Sequence, residues 1–498
     1  MKYKSTRGGM AGLEFSEAVR IGLSSDGGLF VPEENINFST EELNSMVSLS
    51  YEQLAAVIIS RYAGDFTAEE VTDCVARAYS KESFPDNPAN VTKLTDNVSI
   101  LELWHGPTSA FKDMALQILP KFMNYSAKKS GRSEEIVILT ATSGDTGKAA
   151  LEGFKDNEGI KVMVFYPECG VSEMQKYQMI TQEGSNVNIV AIKGNFDNAQ
   201  SGVKTIFNDT QFAEELLSKG KILSSANSIN FGRLLPQIVY YFYAYMQLVK
   251  NKEIGMGAKV NFCVPTGNFG NILACYYAKK AGLPVNRIIC ASNDNNVVPD
   301  FLKTGVYNKN REFLTTISPA MDILISSNLE RLVFDACGEN CYTVADWMKE
   351  LNTTGCYSVD EKTLSNINQH FWGSFATEAE TSSTIADVYN KYNYLVDPHT
   401  AVGIKVYRDY ISTTGDTTKT VCVSTASPFK FNTAVAEAIY GKDAIDNMNE
   451  FETLEFLSEK TGQPIPAPLK GLNTREIRFK DVCEKEDMKK KVEEFIYG

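Results

Sequence analysis

The stretch Glu134–Pro167, EEIVILTATSGDTGKAALEGFKDNEGIKVMVFYP, decides the fold. Ile136–Leu139 and Lys161–Phe165 are short apolar runs rich in β-branched residues, and Gly147–Phe154 between them repeats apolar residues at helical spacing. A strand, a helix and a second strand in so few residues make a βαβ unit, whose strands run parallel with the helix packed on the sheet. Further runs of the same kind stand at Asn188–Ile192, Ile222–Ser225, Val260–Val264, Ile288–Ala291 and Val421–Val423. Amphipathic stretches at Ser172–Glu183, Asn198–Asn208 and Phe231–Val249 lie between several of them. Parallel strands read as near-continuous apolar runs because both sheet faces are covered. There are too many units for one small sheet, so the spacing predicts two three-layer α/β subdomains with mostly parallel sheets around a central cleft.

Outside this core the texture changes. Residues 1–92 read as a mostly helical N-terminal segment. Ser39–Glu42 has a capping-box pattern, and helical periodicity follows at Glu52–Tyr62 and Ala68–Tyr79. The loop Ser83–Asn90 (SFPDNPAN) ends that segment. The core is expected over 93–430, its smaller subdomain at about 130–230, with a charged helical extension over 431–498.

The chain has 498 residues, 43% hydrophobic and 22% charged, which is ordinary globular usage. A net charge of -13 argues against nucleic acid or an anionic membrane as partner, so an anionic ligand must be drawn in by local cations and helix ends. Ten scattered cysteines without a CxxC pair, and only three histidines, disfavour a metal site and a disulfide framework. Cys337 and Cys341 read as ordinary thiols. No run approaches a signal peptide or a membrane span, so the expected compartment is the cytoplasm.

Two glycine-bearing turns follow expected strands and open expected helices: Thr142-Ser143-Gly144-Asp145-Thr146-Gly147 and Pro265-Thr266-Gly267-Asn268-Phe269-Gly270-Asn271. Each can turn backbone N–H groups toward an anion at a helix N-terminus. Neither fits a P-loop or a dinucleotide fingerprint. A third segment, His105-Gly106-Pro107-Thr108-Ser109-Ala110-Phe111-Lys112-Asp113, puts a lysine among apolar neighbours where a loop meets a helix. Burial makes such an amine nucleophilic, although a single loop lysine is ordinarily a solvated charge. One lysine and two anion cradles together suit an aldehyde cofactor with a phosphate tail.

With these segments in view, the chain resembles the threonine synthases, in the tryptophan-synthase-β-like (fold type II) group of pyridoxal phosphate enzymes. The resemblance runs almost end to end, through Ser5-Thr6-Arg7-Gly8, Asp26-Gly27-Gly28-Leu29-Phe30-Val31-Pro32, HGPTSAFKD, TSGDTG, Asn227-Ser228-Ile229-Asn230-Phe231-Gly232-Arg233 and the GNFGN loop. It implies that Lys112 carries pyridoxal 5'-phosphate as a Schiff base. Gly267, Asn268, Phe269, Gly270 and Asn271 would hold the cofactor phosphate. Ser143, Gly144, Asp145 and Thr146 would take the substrate carboxylate. Ser228 and Arg233 would bind the phosphate of O-phospho-L-homoserine, with Lys148 as a second cation. For Arg233 a surface salt bridge is an equal alternative. Thr425, in Ser424-Thr425-Ala426-Ser427-Pro428-Phe429-Lys430-Phe431, would meet the pyridine nitrogen, or else it caps the following helix. Ser427 and Phe429 stand where the family pattern has His and Ala.

The implied reaction is γ-elimination of phosphate followed by addition of water at Cβ, giving L-threonine, with Lys112 moving the α-proton. Two alternatives stay open: a related phospho-lyase that ends at a 2-oxo acid, and a non-catalytic cofactor-binding protein. The expected partner is the small-molecule substrate alone, and the chain is a monomer or a homodimer. No metal is expected.

Overall fold

The computed structural model describes residues 1–132, 134–142 and 144–498. Its larger sheet orders six strands as Phe371–Phe375, Val285–Ser292, Val260–Pro265, Thr420–Ser424, Val98–Glu102 and Asn90–Lys93. All neighbours are parallel except Asn90–Lys93, which runs antiparallel at one edge. The smaller sheet orders Val482–Cys483, Val187–Ile192, Ile160–Pro167, Glu135–Ala141 and Lys221–Ser224, all parallel. The expected two α/β subdomains are therefore present.

Side chains along the strands alternate between two dry faces. Phe262 and Val264 join the core built on the helix Phe231–Lys250, whereas Cys263 between them joins the core on the helix Pro398–Thr414. In the smaller sheet Ile136 and Ile138 face the central core, and Val137 and Leu139 face the opposite cluster. Period-two alternation with both faces buried is the signature of a sheet sandwiched by helices.

The N-terminal helices Thr40–Met46, Tyr51–Tyr62 and Ala68–Ala78 each begin with a capping box, at Ser39/Glu42, Ser50/Gln53 and Thr67/Glu70. Two short strands, Tyr3–Ser5 and Phe30–Pro32, pair antiparallel beside them and join the two N-terminal motifs into one ribbon. At the other terminus the stretch expected to be helical also supplies a strand. Val482–Cys483 extends the smaller sheet, and Met488, Val492 and Ile496 of the last helix, Met488–Tyr497, cover its outer face. The chain end thus packs on the smaller sheet, where its apolar residues join those of the helices Phe196–Phe207 and Thr210–Ser218 on one face.

One close approach fixes how the subdomains meet. A Cβ on Gly153, in the helix Asp145–Phe154, would stand 2.1 Å from the Leu116 carbonyl oxygen of the short helix Asp113–Leu116. Alanine favours helix by about 1 kcal/mol over glycine, yet here it must push two backbones apart. Gly153→Ala is expected to lower the urea unfolding midpoint, with a loss of about 1–3 kcal/mol typical of overpacking. An unchanged or raised midpoint would show that this contact does not set the packing.

Candidate active site

Lys112 stands at the start of the helix Asp113–Leu116, at the end of a loop that is held rigid. Thr108 donates to both oxygens of Asp113, through its N–H and its hydroxyl, each at 2.8 Å. Burial pushes the Asp113 carboxyl up to about 7 against these bonds. A Cβ on Gly106 would meet Asp113 Oδ2 at 2.6 Å, so only glycine fits under the carboxylate. The loop is stitched to the wall after the strand Thr420–Ser424: Phe111 N–H donates to Thr425 O (2.8 Å) and Ser427 N–H to Ser109 O (3.1 Å).

The Lys112 side chain is 11% exposed, and its Nζ lies 3.7 Å from Asp145 Oδ2. Burial lowers its pKa, Asp145 opposes that, and the positive charges of Lys430 and Arg233 add to the lowering. Asp145 Oδ1 accepts from Lys430 Nζ at 2.7 Å and from Gln175 Nε2 at 3.0 Å. Burial alone would raise the Asp145 carboxyl; Lys430 and Lys112 outweigh it and hold it well below the usual carboxylate range. Lys430 is fully buried and also donates to Thr108 O (3.0 Å). It escaped the sequence reading, although a lysine inside the apolar run Pro428–Phe431 was the available signal.

The two glycine turns differ. In the first, Thr142 Oγ1 accepts from Gly144 N–H and Gly147 N–H, each at 3.0 Å, so two of its donors are already engaged. Gly144 opens the helix at φ 150°, and a Cβ there would fall 2.5 Å from the Gln175 side chain. The expectation that Asp145 receives the substrate carboxylate is corrected for its side chain, which is itself an anion facing two lysines. Its backbone N–H and that of Thr146 belong to the first turn, whose donors a helix cannot satisfy internally. Ser143 lies outside the described residues.

In the second turn Phe269 adopts the left-handed conformation (φ 62°) just ahead of the helix Gly270–Lys280. A Cβ on Gly267 would meet Ala320 O at 2.6 Å. Asn271 Oδ1 accepts from the hydroxyls of Tyr240 and Tyr241, both at 2.6 Å, whereas its Nδ2 is buried with no partner among the described residues. An orphan buried donor beside free helix-end N–H groups is what an anionic phosphate satisfies.

Arg233 is buried and forms no ion pair among the described residues, so the surface-salt-bridge alternative fails. Its Nη1 donates to Ala226 O (2.5 Å), its Nε has no described partner, and burial lowers its pKa to about 10. Ser228 Oγ stands by Asn227 and Asn328 on the same side. Lys148, expected as a second cation, is buried and paired. Its Nζ is taken by Glu152 Oε2 (2.9 Å) and by Gln182, on the wall of a cleft of about 990 Å³ lined also by Trp104, Gln178 and Arg478. Thr425 is buried, and the capping role goes instead to Ser427, whose Oγ accepts from Phe429 N–H at 3.3 Å. That explains serine at 427; Phe429 is buried and packs into the core on the helix Pro398–Thr414. No cluster of three or more His, Cys, Asp or Glu side chains among the described residues could hold a metal.

The ion pair between Asp145 and Lys430 joins the two subdomains. Lys430→Met leaves a buried carboxylate with Lys112 as its one cation, and about 3–5 kcal/mol of unfolding free energy is expected to be lost. Adding Asp145→Asn removes the stranded charge and is expected to restore most of that loss in urea titrations. A double variant as unstable as the single one would assign the effect to packing of the lysine stem.

Three family models match the chain in order: "Threonine synthase N terminus" over residues 2–79, "Pyridoxal-phosphate dependent enzyme" over 89–351, and "Threonine synthase, C-terminal" over 400–496. Threonine synthase from Pseudomonas aeruginosa is 39% identical, over 89% of this chain and 91% of its own. Threonine synthase-like 1 from Homo sapiens is 40% identical over 86% of this chain, which spans 58% of that longer relative. The crystal structure of pyridoxal phosphate-bound threonine synthase from Brucella melitensis superposes with a TM-score of 0.88 at 37% identity, covering 100% of both chains. With family models along its length and a relative 39% identical over most of both chains, the chain belongs to the threonine synthase family of pyridoxal-phosphate dependent enzymes.

Proposed function

We propose that this chain converts O-phospho-L-homoserine and water to L-threonine and phosphate, with pyridoxal 5'-phosphate linked to Lys112. The observation that carries the choice of substrate is Arg233. It is a buried guanidinium without a carboxylate partner among the described residues, close enough to Lys112 to lower its basicity. Such a group is suited to a phosphate dianion delivered beside the reactive amine.

The residues present fit the cofactor. Gly267, Asn268, Phe269, Gly270 and Asn271 would hold its phosphate, and the orphan Asn271 Nδ2 supplies a donor. The Thr425 hydroxyl, relieved of capping by Ser427, would meet the pyridine nitrogen as a neutral partner. Bound there, the cofactor supplies the electron sink that carbanionic chemistry at an amino acid requires. Lys112 Nζ, which burial makes less basic, takes the proton from Cα. The first turn, Ser143, Gly144, Asp145 and Thr146, would hold the substrate carboxylate through the backbone donors that Thr142 leaves open, those of Asp145 and Thr146 among them, and Ser228 with Arg233 would hold its phosphate. Lys430 keeps Asp145 turned away from that carboxylate. A second proton then leaves Cβ as the Cγ–O bond breaks and phosphate departs. Cγ takes up a proton, the hydroxyl of water adds at Cβ, and a proton returns to Cα, so that the net change is one water consumed and one phosphate released. We also divide the chain into the segments 1–92, 93–430 and 431–498, and place it in the cytoplasm as a monomer or homodimer.

Purified protein given O-phospho-L-homoserine is expected to release threonine and phosphate in equal amounts, with neither product formed by Lys112→Ala. Phosphate accompanied by 2-oxobutyrate in place of threonine would make the protein a lyase. An absorption band that substrate leaves unchanged, with no phosphate released, would sink the choice of substrate.

A further inference from the structure

The second glycine turn is held open from behind. Ser326 Oγ donates to Gly267 O at 2.7 Å. Asn328 donates twice to Asn268 O, through its backbone N–H at 3.1 Å and its Nδ2 at 2.9 Å. In a trans peptide the C=O and the following N–H lie in one plane and point opposite ways. Anchoring the carbonyls of Gly267 and Asn268 to Ser326 and Asn328 therefore turns the N–H groups of Asn268 and Phe269 to the other side. Together with the first donors of the helix Gly270–Lys280 they form a concave nest of N–H groups. Phe269 carries a side chain at φ 62°, a conformation that costs about 1–2 kcal/mol and has to be held by its surroundings.

Asn328 is itself fixed. It is fully buried, and its Oδ1 accepts from Arg331 Nη1 at 2.5 Å, which leaves Nδ2 to face Asn268 O and, more distantly at 3.4 Å, Ser228 Oγ. Arg331, also buried, gives its other donors to Phe30 O (2.9 Å) and Ile229 O (2.6 Å). One guanidinium so connects the DGGLFVP ribbon, the NSINFGR segment and the residue behind the phosphate turn. None of Ser326, Asn328 and Arg331 belongs to the turn.

We propose that Asn328, oriented by Arg331 and assisted by Ser326, is a positioning residue that sets how strongly the Gly267–Asn271 turn binds a phosphate. This rests on that turn being the cofactor's phosphate site. Asn328→Asp is the sharp test. It keeps an oxygen for Arg331 and nearly the same shape, but it puts an acceptor where a donor met Asn268 O.

The full-length protein, stripped of cofactor, is titrated with pyridoxal phosphate and with pyridoxal, which lacks the phosphate. The ratio of the two dissociation constants reports the phosphate contribution alone, and the thermal midpoint of the stripped protein is recorded alongside. In Asn328→Asp the preference for pyridoxal phosphate is expected to fall about tenfold or more, the scale of a lost charge-assisted hydrogen bond. Pyridoxal binding and the midpoint stay at wild-type values. Ser326→Ala, which removes a single hydroxyl, is expected to fall less, and Ser326→Thr to recover the preference. An unchanged ratio in both Asn328→Asp and Ser326→Ala overturns the proposal, as does an equal weakening of both ligands. A wild-type protein that binds pyridoxal as tightly as pyridoxal phosphate overturns instead the assignment of the turn itself.

Discussion

Two buried ammonium groups share one buried carboxylate: Asp145 lies 2.7 Å from Lys430 and 3.7 Å from Lys112. Burying charges so far from water is costly unless they are paired. The pairing also fixes geometry. Asp145 follows the strand Glu135–Ala141 of the smaller sheet, whereas Lys430 follows the strand Thr420–Ser424 of the larger one. The Lys430–Asp145 contact therefore crosses between subdomains and sets Lys112 in the seam. Arg233, buried without a carboxylate partner among the described residues, adds positive charge beside this pair. In a chain of net charge -13, such a local cation is what suits the site to an anionic ligand.

The N-terminal motifs acquire a physical role from the same construction. Thr6 Oγ1 and the Arg7 guanidinium both donate to Glu330, at 2.6 Å and at 2.9 and 2.7 Å. The next residue, Arg331, donates to Phe30 O. The segments STRG and DGGLFVP thus converge on two consecutive residues of one short helix, Leu329–Ala336, at whose start Asn328 stands behind the phosphate turn. A segment distant in sequence is thereby tied to the residues behind the phosphate turn.

The sheet architecture was legible because buried parallel strands are apolar on both faces. Runs such as Ile136–Leu139 and Val260–Val264 have few other uses. The missed strands show the limit. Phe371–Phe375 reads FWGSF, with a glycine in the middle, and Asn90–Lys93 is half polar at an edge; Val98–Glu102, VSILE, was missed as well although it is buried throughout. Lys112 was legible from its loop and from resemblance. Lys430 and Asn328 were not, because a buried lysine and a buried asparagine look like surface residues until the fold supplies their partners. The pairing of Lys148 with Glu152 was within reach of the sequence, because four residues on a helix place the two side chains together.

The two glycine turns looked equivalent in sequence and are not equivalent in space. The first commits two N–H groups to Thr142 and presents a carboxylate that must be neutralised before another can approach. The second has its carbonyls drawn back by Ser326 and Asn328, carries no charge of its own, and adds the orphan amide of Asn271. A permanent dianion fits the second turn, where every donor is available and none must be released. A transient monoanion fits the first, where fewer donors give a weaker hold. A cofactor retained through many turnovers and a substrate exchanged in each one call for that difference in grip.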